Sequence, residues 1–143
     1  MKDIIDLIAR VSLAFLFLWE AYDSINFFQS TKALMTEYGI TWKQDFLLVM
    51  TISMLILGGI LLLIGYRSGF GALLLLFYWV PVTFIVHSFW NDAPEFRRVE
   101  SIAFMKNFAI TGGLLMVMAN GSGKYSVKRL FATFRVRGAN RKQ

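Results

Sequence analysis

Four long apolar stretches, each able to cross a lipid bilayer, account for most of this 143-residue sequence. They cover residues 4–28, 46–64, 70–90 and 101–119, close to the roughly 20 residues that span a hydrocarbon layer about 30 Å thick. The mean hydropathy of +0.56 exceeds what a soluble domain of this size needs for its core. The sequence therefore predicts an all-α membrane protein, with a four-transmembrane-helix bundle in residues 1–123 and a basic tail in residues 124–143.

The composition excludes several kinds of chemistry. The absence of cysteine rules out disulfides, iron–sulfur clusters and thiolate metal sites. His87 is the one histidine in the sequence, so a single copy of the chain cannot hold a bis-histidine haem. No metal site and no cofactor is evident. Electrons that pass through the protein must be carried by a quinone, a bound cofactor or a partner.

The positive charges predict the orientation of the spans. Nine basic residues lie on the side shared by both termini and the loop between spans two and three. The opposite side carries four basic residues, accompanied by five acidic ones. Because Lys and Arg concentrate on the cytoplasmic side, both termini are expected in the cytoplasm of a bacterial inner membrane.

The tail repeats apolar residues at helical spacing opposite basic ones. This pattern predicts a short amphipathic segment lying on the inner leaflet, in contact with anionic lipid. The residues expected at that surface are Lys128, Arg129, Arg135 and Arg137. Nucleic-acid binding is the weaker interpretation, since no fold capable of reading bases accompanies the charge.

Two glycine pairs indicate where helices approach each other. Gly58-Gly59 lies in the second span and Gly112-Gly113 in the fourth. Small residues permit close helix packing in lipid, where packing rather than the hydrophobic effect drives association.

Polar residues interrupt the apolar stretches at similar depth. By the 1.5 Å rise per residue, Glu20, His87 and Lys106 lie about 7, 10 and 6 Å outward of the centres of spans one, three and four. Polar groups inside a membrane are costly and usually functional. The predicted pocket in the outer half of the bilayer comprises Glu20, Asp23, His87, Trp90, Lys106 and Asn107.

Two interpretations of this pocket stay open. A Glu20–Lys106 pair could neutralise two charges and fix helix packing, with His87 bonded to a neighbour, because either charge alone is costly to bury. Alternatively, the group could bind a ligand or move protons.

The order of short motifs along the chain resembles the bacterial DoxX family of small four-helix membrane proteins. The resemblance extends from about Arg10 to Gly123. Its segments are Arg10 with Phe17-Leu18-Trp19, Leu57-Gly58-Gly59, Gly65-Tyr66-Arg67-Ser68, His87-Ser88-Phe89-Trp90, Phe104-Met105-Lys106-Asn107 and Gly112-Gly113-Leu114-Leu115.

The resemblance implies association with membrane redox complexes, since the family is named for a subunit linked to quinol oxidation. It does not by itself imply that this chain catalyses a reaction. The sequence departs from the family where members commonly carry a small residue, a glycine and a lysine. Here the segment reads Glu20-Ala21-Tyr22-Asp23-Ser24, so an acidic pair replaces a basic residue.

Three functions fit these observations. The first is a quinone-linked accessory subunit that uses the polar pocket. The second is a non-enzymatic membrane module that binds lipid or a partner, scaffolds a redox complex or forms a homo-oligomer. The third is a proton-coupled carrier of small solutes with Glu20, His87 and Lys106 as a relay.

Overall fold

The structure is a computed structural model that describes residues 1–123 and Ser126, the side chain of Lys2 excepted. Within this part the chain forms five α-helices: α1 (Lys2–Asn26), α2 (Phe28–Glu37), α3 (Gln44–Ile64), α4 (Ser68–Val86) and α5 (Pro94–Asn120). The predicted amphipathic tail, with the lipid contacts of Lys128, Arg129, Arg135 and Arg137, lies outside the described residues.

Three of the described helices, α3, α4 and α5, are long and apolar enough to cross a membrane. α1 has the length, at 25 residues, but Arg10, Glu20 and Asp23 all lie within it. The chain is therefore an α-helical membrane protein, and the count of four spans stays a prediction.

The long helices pack in chain order. α1 lies on α3, α3 on α4 and α4 on α5, while α5 returns to touch α1 more lightly. Successive long helices run antiparallel. The start of α1, the turn between α3 and α4, and the end of α5 form one end of the bundle, called here the terminal end. The connections from α1 to α3 and from α4 to α5 form the loop end.

Apolar side chains from all four long helices meet between them. The ring of Phe17 on α1 packs edge-on against Trp79 on α4, with 5.1 Å between ring centroids. Leu55, Leu75 and Leu114 are fully buried around this contact. The pair Phe17–Trp79 fixes the relative height of α1 and α4, which run parallel.

The glycine pair of α3 lies where helices approach most closely. A Cβ on Gly58 would stand 2.6 Å from Leu75 Cγ and 3.1 Å from the carbonyl oxygen of Gly71, both on α4. A Cβ on Gly59 would stand 2.8 Å from Leu18 Cγ on α1. The two glycines therefore bring α3 close to α4 on one side and to α1 on the other.

The glycine pair of α5 is less confined. A Cβ on Gly113 would lie 3.7 Å from the side chain of Leu13 on α1, an ordinary contact distance. A Cβ on Gly112 would meet nothing within 4 Å in the described part of the chain. Gly112 thus leaves an open surface on α5, and its packing role stays a prediction.

Arg10 links α1 to α3 at the terminal end of the bundle. Its side chain is fully buried. Its Nε lies 3.0 Å from Asp6 Oδ2 and its guanidinium donates to the carbonyl of Leu62, 3.1 Å away on α3. Gly65 has φ 71° and no side chain, which leaves the space that the Arg10 guanidinium occupies. Arg10 is therefore a buried link between α1 and α3, and Asp6 neutralises its charge from the same helix.

Two helix boundaries differ from the predicted spans by four or more residues: the end of α4 and the start of α5. The turn that precedes Pro94 separates these two helices. α4 ends at Val86, so His87 and Trp90 lie in the connection rather than in the third span. α5 begins at Pro94, seven residues before the apolar run, because proline at the first helical position needs no backbone donor and has a helical φ. The polar start of α5 therefore projects beyond its apolar part.

α2 is the short helix that the length of the first connection allows. Gln44 at the start of α3 donates to the Ile40 carbonyl and the Thr36 hydroxyl, both at 2.7 Å. Lys32 on α2 forms an ion pair with Asp45, 2.6 Å apart. These contacts hold α2 across the loop end of α3.

Replacement of Gly58 by alanine is expected to lower stability, because the added methyl group would overlap Leu75 and press on the α4 backbone. Overpacking of this kind costs about 1–3 kcal/mol. The matched control is Gly112→Ala, which meets open space and removes a flexible residue from a helix. Thermal unfolding in mild detergent should show a lower midpoint for Gly58→Ala alone, and equal midpoints would contradict the packing of α3 on α4.

Candidate functional site

The contact between Leu13 and Gly113 sets the height of α1 relative to α5. Seven residues make nearly two helical turns, so Glu20 lies on the same face of α1 as Leu13. For the same reason Lys106 lies on the same face of α5 as Gly113. Because the two helices run in opposite directions, both residues stand about 10 Å from the contact toward the loop end, by 1.5 Å per residue. Glu20 and Lys106 thus lie at a similar height on neighbouring helices.

The region between α1 and α5 that contains Glu20 and Lys106, on the loop-end side of the Leu13–Gly113 contact, is called here the α1–α5 seam. The two charged groups do not close on each other. Within the described residues neither forms an ion pair shorter than 4.0 Å. The two groups are therefore at a similar height but unpaired within the described part of the chain.

Glu20 is partly buried and has two electrostatic neighbours. Asp23 lies one turn closer to the loop end on α1 and is exposed. The phenol of Tyr78 on α4 lies close enough for the charge of Glu20 to act on it. Glu20 therefore faces the interior of the bundle, while Asp23 lies at the rim of the seam.

Lys106 is exposed and borders a groove on α5. This α5 groove is shallow and widely open rather than an enclosed pocket. It is lined by Phe89, Ser101, Ile102, Met105, Lys106 and Ala109. Lys106 thus stands between the seam on one side and an apolar groove on the other.

His87 is not part of the seam. Its Nδ1 lies 2.8 Å from Glu100 Oε2, in the second turn of α5. Taking Phe17 and Trp79 as level, the helix rise places His87 about 7 Å nearer the loop end than Glu20. The structure therefore separates the imidazole from the Glu20–Lys106 level and gives it a different carboxylate.

Trp90 and Asn107 have structural neighbours. The Trp90 ring packs against Phe84, Phe89 and Phe104, with centroid distances of 5.2–6.4 Å. The backbone carbonyl of Asn107 accepts a hydrogen bond from Trp79 Nε1 at 3.2 Å. Of the six predicted pocket residues, the structure places His87 and Trp90 in a separate cluster at the loop end. A shared pocket of Glu20, Asp23 and Lys106 stays a prediction.

Two further polar residues, Tyr38 and Asp92, belong to the same end of the bundle. Tyr38 follows α2, and its own burial together with the charges of Glu100, Glu37 and Asp92 raises the pKa of its phenol. The Oδ2 atom of Asp92 is buried and finds no hydrogen-bond partner in the described residues. Nevertheless, no group of three or more His, Asp or Glu side chains in the described residues is arranged to hold a metal ion.

Sequence reasoning missed Tyr78 and Glu100. Tyr78 lies in an uninterrupted apolar run, where a phenol is easily taken for a membrane-interface residue. Glu100 was counted only among the acids of the outer loops. The available signal was Pro94, because a helix that begins there carries Glu100 on its second turn, beside the end of the preceding helix.

The fold defines an integral membrane protein built of α-helices. The sequence pattern of the DoxX family matches residues 5–88, more than half of the chain. The chain therefore belongs to the DoxX family.

Relatives support the membrane location. The chain is 29% identical over 130 residues to the inner membrane protein YqjF of Escherichia coli (strain K12), covering 91% of this chain and 94% of YqjF. It is 24% identical over 128 residues to the inner membrane protein YphA of the same organism, covering 90% and 91%. A Surfeit locus protein 4 homolog of Schizosaccharomyces pombe is 29% identical over 91 residues, which cover 62% of this chain and 29% of that protein. No solved structure matches the chain.

Paired cysteines can test the facing of Glu20 and Lys106, because the sequence has no cysteine of its own. A short bis-maleimide is expected to join Glu20→Cys to Lys106→Cys within one chain. The matched control joins Glu20→Cys to Phe108→Cys, which lies two residues along α5 and therefore on the opposite face. The yield of linked monomer, measured by intact mass, should be high for the first pair and low for the second. Equal yields would mean that α1 and α5 do not have this register.

Proposed function

We propose that this DoxX-family protein is an accessory subunit of a membrane redox complex that holds a quinone or quinol ring in the α1–α5 seam. The proposal is supported by the similar height of Glu20 and Lys106 on neighbouring helices and by the lack of an ion pair between them in the described residues. A quinone ring has two carbonyl oxygens on opposite sides, and a quinol has two hydroxyls. Such a ring matches a site with a donor on one wall and an acceptor on the other.

The side chains have distinct roles in this proposal. The Lys106 ammonium would donate a hydrogen bond to one ring oxygen, and Glu20 would accept a hydrogen bond from the other. Oxidation of a quinol releases two protons and two electrons. Glu20 would accept the two protons one after the other and pass each to Asp23, one turn nearer the loop end, and from there to water. The two electrons pass to a redox centre of the partner, since residues of this chain supply no electron acceptor.

A second candidate is a non-enzymatic scaffold or homo-oligomer. This candidate is supported by the exposure of α5. Only 17% of the most apolar stretch of α5 is buried inside the protein, against 28% for α3 and 33% for α4. The open surface at Gly112 lies on this helix. In that case Lys106 would meet a carboxylate of another subunit. The carrier hypothesis has weaker support, because His87 pairs with Glu100 and lies nearer the loop end than the other two relay groups.

Quinone content tests the first proposal. Protein purified in mild detergent is expected to carry extractable quinone, and Lys106→Met should lower it about tenfold or more, the loss expected for a hydrogen bond to a charged group. Glu20→Gln should lower it in the same direction. Lys43→Met, which removes an exposed ammonium before α3, is the matched control and should retain the wild-type amount. Unchanged quinone in Lys106→Met and Glu20→Gln proteins of normal stability would refute the seam as a quinone site.

Topology is the second part of the proposal: α1 forms a fourth span, and both termini face the cytoplasm. A membrane-impermeant maleimide applied to intact cells should label Ser30→Cys and Asn91→Cys. A cysteine placed before Met1, and Tyr66→Cys in the α3–α4 turn, should react only after permeabilisation. Labelling of positions 1 and 30 from the same side would show that α1 does not cross the membrane.

A further inference from the structure

Arg98 is the basic residue that stands above the α5 groove. It lies one turn before Ile102 and two turns before Met105, and so shares their face of α5. It is exposed, and no carboxylate lies within 4.0 Å of its guanidinium in the described residues. Its neighbour Arg97, by contrast, donates to the carbonyl of Asp92 at 3.1 Å. Arg98 therefore presents a free cation over an apolar groove.

Along α5, the charged group and the apolar groove follow each other in the same order as the headgroup and the acyl chains of a phospholipid. Arg98 precedes Ser101, where the apolar run begins, by about 4–5 Å along the helix. The groove then continues about 12 Å further, to Ala109. Its lining residues Ile102 and Met105 are 47% and 59% exposed, so they face lipid and not the bundle core. A cation at headgroup height thus lies one helical turn nearer the loop end than an open apolar groove.

We propose that the α5 groove binds an anionic phospholipid, with the phosphate on Arg98 and one acyl chain along Ile102, Met105 and Ala109. Arginine suits a phosphate because its planar donors match the phosphate oxygens in pairs. The site depends on α5 crossing the membrane and is independent of quinone binding. Lys106 borders the groove on the side of the seam and is not its anchor.

Charge decides which lipid fits best. A zwitterionic lipid would bring its own ammonium group toward Arg98, whereas an anionic lipid brings net negative charge alone. Glu95, three residues before Arg98, lies on an adjoining part of the helix surface and is exposed. Its carboxylate opposes an anionic headgroup. Removal of that charge should therefore strengthen binding.

Native mass spectrometry of the full chain, titrated with phosphatidylglycerol or phosphatidylcholine in detergent, tests the proposal. The wild-type protein should retain phosphatidylglycerol in preference to phosphatidylcholine. Arg98→Gln should reduce retained phosphatidylglycerol at least fivefold, while Glu95→Gln should increase it. The matched control Arg97→Gln changes the net charge equally and should stay within twofold of wild type.

Two further measurements separate the parts of the site. Ala109→Phe fills the groove without a change of charge and should lower phosphatidylglycerol retention by several fold. Inorganic phosphate at millimolar concentration should leave the bound lipid in place, because it lacks an acyl chain. If phosphate displaces the lipid, or Ala109→Phe retains it, the groove is not the binding surface.

The outcome can be read separately from the quinone proposal. Glu20→Gln should lose quinone and keep phosphatidylglycerol, whereas Arg98→Gln should lose phosphatidylglycerol and keep quinone. Equal losses of lipid in Arg97→Gln and Arg98→Gln would show general charge attraction and overturn the assignment to Arg98. Absence of any preference for phosphatidylglycerol in the wild-type protein would overturn it as well.

Discussion

The buried guanidinium of Arg10 is the interaction on which the arrangement of the other helices depends. A charge inside a membrane protein must find partners within the protein, since the hydrocarbon offers none. Arg10 finds a carboxylate on its own helix, Asp6, and a backbone carbonyl on α3, that of Leu62. Gly65 leaves room for it at the turn into α4. One side chain thus connects α1 with α3 at the terminal end and restricts how α1 can tilt.

That link explains why the polar residues of α1 have a defined direction further along the helix. With Arg10 turned toward α3, Phe17 packs on Trp79 and Leu13 turns toward Gly113. Glu20, seven residues beyond Leu13, then faces α5. The same register places Lys106 opposite. A carboxylate and an ammonium are therefore brought to one level by packing contacts that contain neither of them.

The sequence predicted the parts of the fold that depend on helix length and apolarity. The apolar runs located α3, α4 and the apolar part of α5, and the glycine pair in the second span marked the close approach of α3 to its two neighbours. The common height of Glu20 and Lys106 follows from the constant rise of a helix, and their meeting in one pocket stays a prediction. The partner of His87 could not, since it depends on where α4 ends and on the direction in which α5 leaves Pro94. Neither is encoded in an apolar pattern. The burial of Arg10 was likewise missed, because only the packing of α1 on α3 distinguishes a buried arginine from one at the membrane surface.

The separation of Glu20 from Lys106 bears most directly on function. A closed ion pair between them would satisfy both charges and leave little reason to expect a ligand, because breaking such a pair leaves an uncompensated charge. Without such a pair in the described residues, the partly buried Glu20 and the exposed Lys106 are each open to a different partner. Where family members commonly carry a lysine in the first helix, this chain carries acids, and its cation lies across the seam on α5. A molecule with a hydrogen-bond acceptor at one edge and an exchangeable proton at the other would suit Lys106 and Glu20 respectively. A purely anionic ligand would be repelled by Glu20. The seam and the groove beside it therefore select different chemistries, although Lys106 borders both.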